Sequence, residues 1–289
     1  MQDPLMQDGS GNHGHKRKKR RGIPRLKGPP LNHMIPNILT LLALCAGLTA
    51  IRFALQAKWE HAVFAVLLAA ILDGLDGRIA RLLKVTSRFG AELDSLSDFV
   101  CFGVAPAMVM YLWTLKDAGS PGWALALLFV VCSALRLARF NTMIGQANLP
   151  PYAYNFFTGV PAPAAAGLAL LPLMLSFELG DAFFSSPLVV GLVMIAVAFM
   201  MVSRIPTFSL KGLRIPHPYI LPGFLVLALL AAFMVTAPWV TLPLVEIIYA
   251  ISIPFAFKAY RDLERKAMEL QDKPAEDGEA HLEPSENGH

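Results

Sequence analysis

The chain has 289 residues, 55% of them hydrophobic and 16% charged, with a net charge of +4 and a mean hydropathy of +0.51. Soluble domains carry about a quarter charged residues, so this balance excludes an ordinary soluble enzyme and indicates a polytopic membrane protein. Three cysteines, Cys45, Cys101 and Cys132, all fall within apolar segments, which argues against a disulfide framework.

Residues 1–33 form a basic cytoplasmic tail with HKRKKRR at 15–21. Such clusters beside a membrane helix attract anionic headgroups by about 1 kcal/mol per charge. Being tethered to a bilayer, this one reads as a contact with membrane lipids rather than with nucleic acid. The tail lacks a short apolar segment followed by a small-residue cleavage site. The first apolar helix is therefore expected to be its own insertion signal.

Apolar runs long enough to span follow at 36–55, 60–83, 89–113, 122–143, 158–177, 186–203, 218–235 and 239–257. The expected fold is all-α, a polytopic membrane bundle of about eight helices over 34–257. Residues 258–289 form a C-terminal tail that opens KAYRDLERKAMELQ, able to continue the last helix, and turns acidic after Lys273 with the composition of a disordered segment. With the N-terminus inside, 22 Lys and Arg fall on the inner side and three, Arg52, Lys58 and Lys116, on the outer. The bias places both termini in the cytoplasm and the 78–88 segment on the cytoplasmic face of the inner membrane.

The second and third runs carry four aspartates. Each charge at the centre of a membrane helix costs roughly 2.5–3.5 kcal/mol on the lenient scale. On a helix, Asp73 and Asp76 share a face near Gly77 and Ala80, with Gly74 beside it. Gly90, Asp94 and Asp98 recur every four residues on the next helix. The KVTSR connection is short, so the two acidic faces meet near the cytoplasmic end. Converging carboxylates need cations. With neither Cys nor His among them they select hard ions, Mg²⁺ or Mn²⁺, and four can hold two. Two such ions suit displacement at phosphorus, and Arg78, Arg81 and Arg88 suit phosphate oxygens. Capping acids paired with those arginines, and an ion-coupled transporter, are the rival readings.

In one line the stretch reads D-x-x-D-G-x-x-A-R, eight residues, then G-x-x-x-D-x-x-x-D: Asp73, Asp76, Gly77, Ala80, Arg81, Gly90, Asp94 and Asp98. It resembles the signature of the CDP-alcohol phosphatidyltransferases, with every fixed position filled. The resemblance implies a helical membrane transferase with two divalent ions, a CDP-linked lipid donor (CDP-diacylglycerol), an alcohol acceptor and release of CMP. It implies that Asp73, Asp76 and Asp94 are metal ligands and that Asp98 is both ligand and general base. It places Gly77, Ala80 and Arg81 along the nucleotide and diphosphate, and it suggests a homodimer. HMIPNILTLLALCAGLTAI (33–51), SALRLARFN (133–141), FTGVPAPAAAG (157–167) and SRIPTFSLKG (203–212) look like the branch of that family that takes L-serine as acceptor. Glycerol 3-phosphate is the alternative acceptor, and an inactive scaffold a further reading that the complete signature opposes.

Further positions outside the motif stand out. Asn37, after Pro36, reads as a nucleotide contact or as helix-start chemistry. Arg136 and Arg139, with Asn141 following, read as acceptor-binding residues for a serine carboxylate, as contacts for a lipid phosphate, or as positive-inside anchors. Pro161 and Pro163 read as the entry to the fifth helix, and PAPAAAG as small residues for close packing.

Overall fold

The computed structural model describes residues 34–85, 87–143, 156–208 and 217–271. The basic cluster at 15–21, Lys211, Arg214 and the acidic segment after Lys273 lie outside the described residues. Helices α1 (Ile35–Leu55), α2 (Trp59–Leu82), α3 (Arg88–Asp98), α4 (Ala105–Trp113) and α5 (Ser120–Met143) are followed by α6 (Ala162–Leu179), α7 (Asp181–Phe184), α8 (Pro187–Val202), α9 (Ile220–Thr236) and α10 (Pro238–Gln271). Each of the eight apolar runs contains helix. By length and composition five stretches can cross a membrane: Ile35–Leu55, Arg88–Trp113, Ser120–Met143, Ala162–Leu179 and Pro238–Lys266. Apolar α8 and α9 have 16 and 17 residues, so each is about 25 Å long, against roughly 30 Å of hydrocarbon. Helix α2, interrupted by its acids, is the remaining one.

The bundle is organised by an α1–α2 hairpin. Its turn, Gln56–Lys58, contains Ala57 at φ 56°. The buried residues of α1 include Ala43, Ala46, Gly47, Ala50 and Ala54, and those of α2 include Ala62, Ala65, Val66 and Ala69. Spacings of three and four put these small side chains on one face of each helix, so the backbones approach closely. Lipid tails are as apolar as leucine, so this van der Waals contact replaces the hydrophobic drive of a soluble core. Large buried side chains, among them Phe102, Phe129, Leu173 and Met194, fill the space between the middle helices. In contrast, α9 buries no residue and presents an apolar surface all round.

Two features depart from the sequence expectation. The third run is not a uniform α-helix: Phe99–Val104 is a π-helical segment directly after Asp98. Gly103 sits against Ser133 there, where a Cβ would come within 2.8 Å of Ser133 Oγ. The fifth run starts as a helix at Ala162 rather than 158. Strand β1 (Phe156–Thr158) instead pairs antiparallel with β2 (Pro206–Phe208), with Phe157 opposite Thr207. Gly159, at φ +80°, turns the chain between strand and helix, and Pro161 and Pro163 then open α6. Among the described residues the fold is thus a helical membrane bundle with one small two-stranded ribbon. Beyond residue 257, α10 continues to Gln271 as the tail composition suggested.

A Cβ on Gly47 would lie 2.7 Å from Cys101 Sγ and 3.0 Å from the Cys101 Cα. Gly47→Val is therefore expected to force α1 away from the π segment, at a cost of about 1–3 kcal/mol. Thermal unfolding in detergent measures it, and an unchanged Tm would mean that the contact yields without loss.

Candidate active site

The aspartates meet as the helical spacing predicts. One carboxylate oxygen each from Asp73, Asp76 and Asp94 lies within 4.8 Å of the others. Asp98, at the end of α3, adjoins Asp73 carboxyl to carboxyl. Local sequence brings them there. Lys84, at φ 54°, helps to turn the chain after α2. Ser87 then N-caps α3, its Oγ accepting from Gly90 N–H at 2.9 Å. A short turn and an immediate cap return the chain antiparallel, so the acidic face of α3 lies opposite that of α2.

Asp76 is the most enclosed of the four, 4% exposed, and Thr40 of α1 supports it. The Thr40 hydroxyl is 2.6 Å from Asp76 Oδ2 and also 3.1 Å from Pro36 O. Ser97 Oγ donates to Thr40 O at 3.2 Å and so ties α3 to the same turn of α1. Thr40 and Ser97 are supports that the motif does not contain; a polar residue within the apolar first run was the sole sequence signal for Thr40, and Ser97 gave none. Arg81 donates from Nε to Gly77 O at 2.9 Å, while Arg78 and Arg88 are exposed. None of these contacts is the capping pair with an aspartate that would account for the acids structurally.

Beside the acids lies a cavity of about 190 Å³, whose lining includes Asn37, Thr40, Gly77, Ala80, Arg81 and Asp94. Gly77 and Gly74 are open: a Cβ on either would meet nothing within 4 Å. Gly90 is small for a different reason, because a Cβ there would come within 2.8 Å of Asn37 Oδ1. Asn37 therefore packs on α3 at the rim of the cavity, and the glycine makes that approach feasible.

The acceptor candidates separate. Arg136 is 9% exposed and lies within electrostatic range of Asp98. Arg139 instead turns onto the end of α8, donating from Nη1 to Val202 O at 2.7 Å and from Nη2 to Ser203 O at 3.1 Å. Cations suit a helix C-terminus, where carbonyls are unsatisfied. Asn141 donates from Nδ2 to Ser95 Oγ at 3.0 Å, between Asp94 and Asp98 in sequence, and is exposed.

Residues 33–203 match the sequence profile of the CDP-alcohol phosphatidyltransferases. The chain belongs to the CDP-alcohol phosphatidyltransferase family. A second profile, CDP-alcohol phosphatidyltransferase 2, matches residues 218–254, which cover α9 and the first half of α10. A relative in Mycobacterium tuberculosis named CDP-diacylglycerol–serine O-phosphatidyltransferase is 39% identical over 88% of each chain. A Helicobacter pylori protein of the same name is 42% identical over 50% of this chain and 60% of its own. An archaetidylserine synthase of Methanothermobacter thermautotrophicus is 34% identical over 62% of this chain and 71% of its own.

The residues fit the hard divalent cations that this chemistry calls for. The donor set is oxygen alone, three of the oxygens already converge, and the fourth carboxylate has a buried oxygen, Asp98 Oδ1, with no hydrogen-bond partner. Thr40→Val removes the donor to Asp76 with little change of volume. It should weaken Mn²⁺ binding about 10- to 100-fold, as is usual when the group orienting a metal ligand is lost. Titration of Mn²⁺ followed by paramagnetic resonance reads this directly, and wild-type affinity would show that Thr40 does not orient Asp76.

Proposed function

We propose that this chain transfers the phosphatidyl group of CDP-diacylglycerol to the hydroxyl of L-serine, forming phosphatidylserine and releasing CMP. The observation that carries the reading is the convergence of Asp73, Asp76 and Asp94 beside a cavity floored by Gly77 and Ala80. The serine-specific names of relatives from three genera support the choice of acceptor. Glycerol 3-phosphate would add a dianion, which calls for a denser cluster of Arg and Lys than Arg136 provides.

The four aspartates would hold two ions, Mg²⁺ or Mn²⁺, which neutralise the diphosphate and polarise the phosphorus under attack. The nucleotide and diphosphate occupy the cavity, with Asn37 at the rim and Arg81 beside the phosphates; Gly77 admits them because it has no side chain. Asp98 takes the proton of the serine hydroxyl, which is a poor nucleophile unless a base stands within hydrogen-bond reach. The hydroxyl oxygen bonds to the lipid-linked phosphorus, the bond from that phosphorus to the CMP oxygen breaks, and CMP leaves. Arg136 receives the serine carboxylate. Arg139 holds the end of α8 in register with the ribbon, and Asn141 fixes α5 against α3, so both act on the acceptor through position.

The same reading assigns residues 34–257 to the catalytic membrane domain, with eight spans and tails at 1–33 and 258–289. The N-terminal tail rests on anionic lipid, and the protein functions as a homodimer in the cytoplasmic membrane. The 22-to-3 charge asymmetry supports cytoplasmic termini and an active site open to the cytoplasm.

Asp98→Asn keeps the shape and removes the base. Turnover should fall by about 10²–10⁴-fold while CDP-diacylglycerol still binds. Near-normal transfer of labelled serine by this variant would remove Asp98 from the role. For orientation, Lys84→Cys, exposed in the α2–α3 turn, should be protected from impermeant thiol reagents in intact cells and react after permeabilisation. Labelling from outside would invert the topology.

A further inference from the structure

Among the described residues, four buried side-chain atoms lack a hydrogen-bond partner: Asp98 Oδ1, Arg136 Nε, Tyr249 Oη and Glu246 Oε2. They come from three helices, α3, α5 and α10, yet they form a series. Asp98 is within electrostatic range of Arg136, Arg136 of Tyr249, and Tyr249 of Glu246, with the Thr207 side chain also facing the Tyr249 hydroxyl. Buried polar groups in folded proteins are almost always paired, so orphans gathered in one series mark a place made for a polar guest.

Glu246 stands apart from the metal cluster. It lines a cavity of about 220 Å³ whose other walls are apolar or small residues of α2, α6 and α10 and Phe102. Ala70, one turn before Asp73, also lines it, so the cavity lies just deeper than the aspartates. A Cβ on Gly167 would collide with the Glu246 carboxylate. The small-residue run of α6 thus does more than let helices approach: Gly167 leaves the space that the carboxylate occupies. Both Glu246 and Tyr249 fall within 218–254, outside the segment that carries the aspartate motif.

We propose that Arg136, Tyr249 and Glu246 form the end of the active site that selects an amino-acid acceptor. Arg136 and the Tyr249 hydroxyl take the carboxylate, Glu246 takes the ammonium, and the acceptor hydroxyl is left against Asp98. This rests on the reading of the chain as a phosphatidyl transferase that uses serine. The orphaned atoms supply the argument. Arg136 Nε–H needs an acceptor, Asp98 Oδ1 and Glu246 Oε2 need donors, and the tyrosine hydroxyl can serve as either. A hydroxy amino acid offers one hydroxyl, one carboxylate and one ammonium, which matches that set. Glycerol 3-phosphate offers no cation and would set a dianion near Glu246, so the same carboxylate that favours the amine disfavours the phosphate.

The test uses the full-length protein in lipid vesicles with CDP-diacylglycerol and Mn²⁺. The acceptors are L-serine, 3-hydroxypropionate (no ammonium), ethanolamine (no carboxylate) and glycerol 3-phosphate. Glu246→Gln should raise the serine KM by about tenfold to a hundredfold, the range expected for one hydrogen bond to a charged group. The KM for CDP-diacylglycerol should stay within about twofold, and the preference for serine over 3-hydroxypropionate should shrink with the serine KM. Tyr249→Phe, which keeps the ring and its packing, should raise the serine KM in the same sense and narrow the preference for serine over ethanolamine. It carries the test alone if Glu246→Gln fails to fold. Variants that lose kcat with serine KM and acceptor preference unchanged overturn the inference and leave these residues structural. A wild-type protein that uses glycerol 3-phosphate and not serine overturns the acceptor reading itself, and the inference with it.

Discussion

Mutual repulsion among carboxylates is the constraint to which the rest of this fold responds. Two unit charges about 4 Å apart repel by roughly 4 kcal/mol at an effective dielectric of 20. Three such groups converge here, with a fourth adjoining, on helices that gain little by keeping charge away from water. A flexible site would relax by swinging the side chains apart. This one is held in place. The alanine and glycine faces of α1 and α2 fix the hairpin, Ser87 fixes the start of α3, and the Thr40 hydroxyl holds Asp76 from the opposite helix. Packing far from the acids therefore maintains an arrangement of charge that is unfavourable until cations enter. That is preorganisation, and it spares the site a rearrangement at the moment of reaction.

Much of the acidic cluster was legible because it obeys a local rule. Spacings of three and four put Asp73 beside Asp76 and Asp94 beside Asp98, and a five-residue connection brings the two pairs together. What escaped was long-range. Thr40 meets Asp76 across 36 positions, and Tyr249 approaches Arg136 from more than a hundred residues away. No periodicity encodes such partners. Arg136 and Arg139 show the limit most clearly. They share a helix, a charge and a motif, and only burial and the position of α8 distinguish a guanidinium near Asp98 from one on carbonyl oxygens. The strand at Phe156–Thr158 was missed because three residues are too few for an alternation, and its partner lies 48 positions further on.

Arg139 also links parts of the chain that are distant in sequence. Its donors reach Thr158 O of β1 as well as the last carbonyls of α8, while Thr207 Oγ1 on β2 donates to Gly159 O. The ribbon, the end of α8 and the C-terminal end of α5 are thereby joined beside Arg136. Because α10 packs on β2, the same joint sets where Tyr249 lies.

The π segment after Asp98 gives the third span an unusual tolerance. A π turn holds one residue more than an α turn, and each residue of a helix advances the face by about 100°. The aspartates before Phe99 and the core residues after Val104 are therefore set in two different phases. Within Phe99–Val104 the buried Cys101, Phe102 and Gly103 are held by packing, whereas Phe99, Val100 and Val104 could be exchanged while that offset persists; loss of a single residue would cancel it. Either Asp94 and Asp98 would then swing out of the cluster, or Ala105, Val109 and Met110 would leave the core. In this stretch the number of residues is constrained as well as the identity of the buried three, so lineages of the family should vary here by substitution at Phe99, Val100 and Val104 and scarcely at all by insertion or deletion.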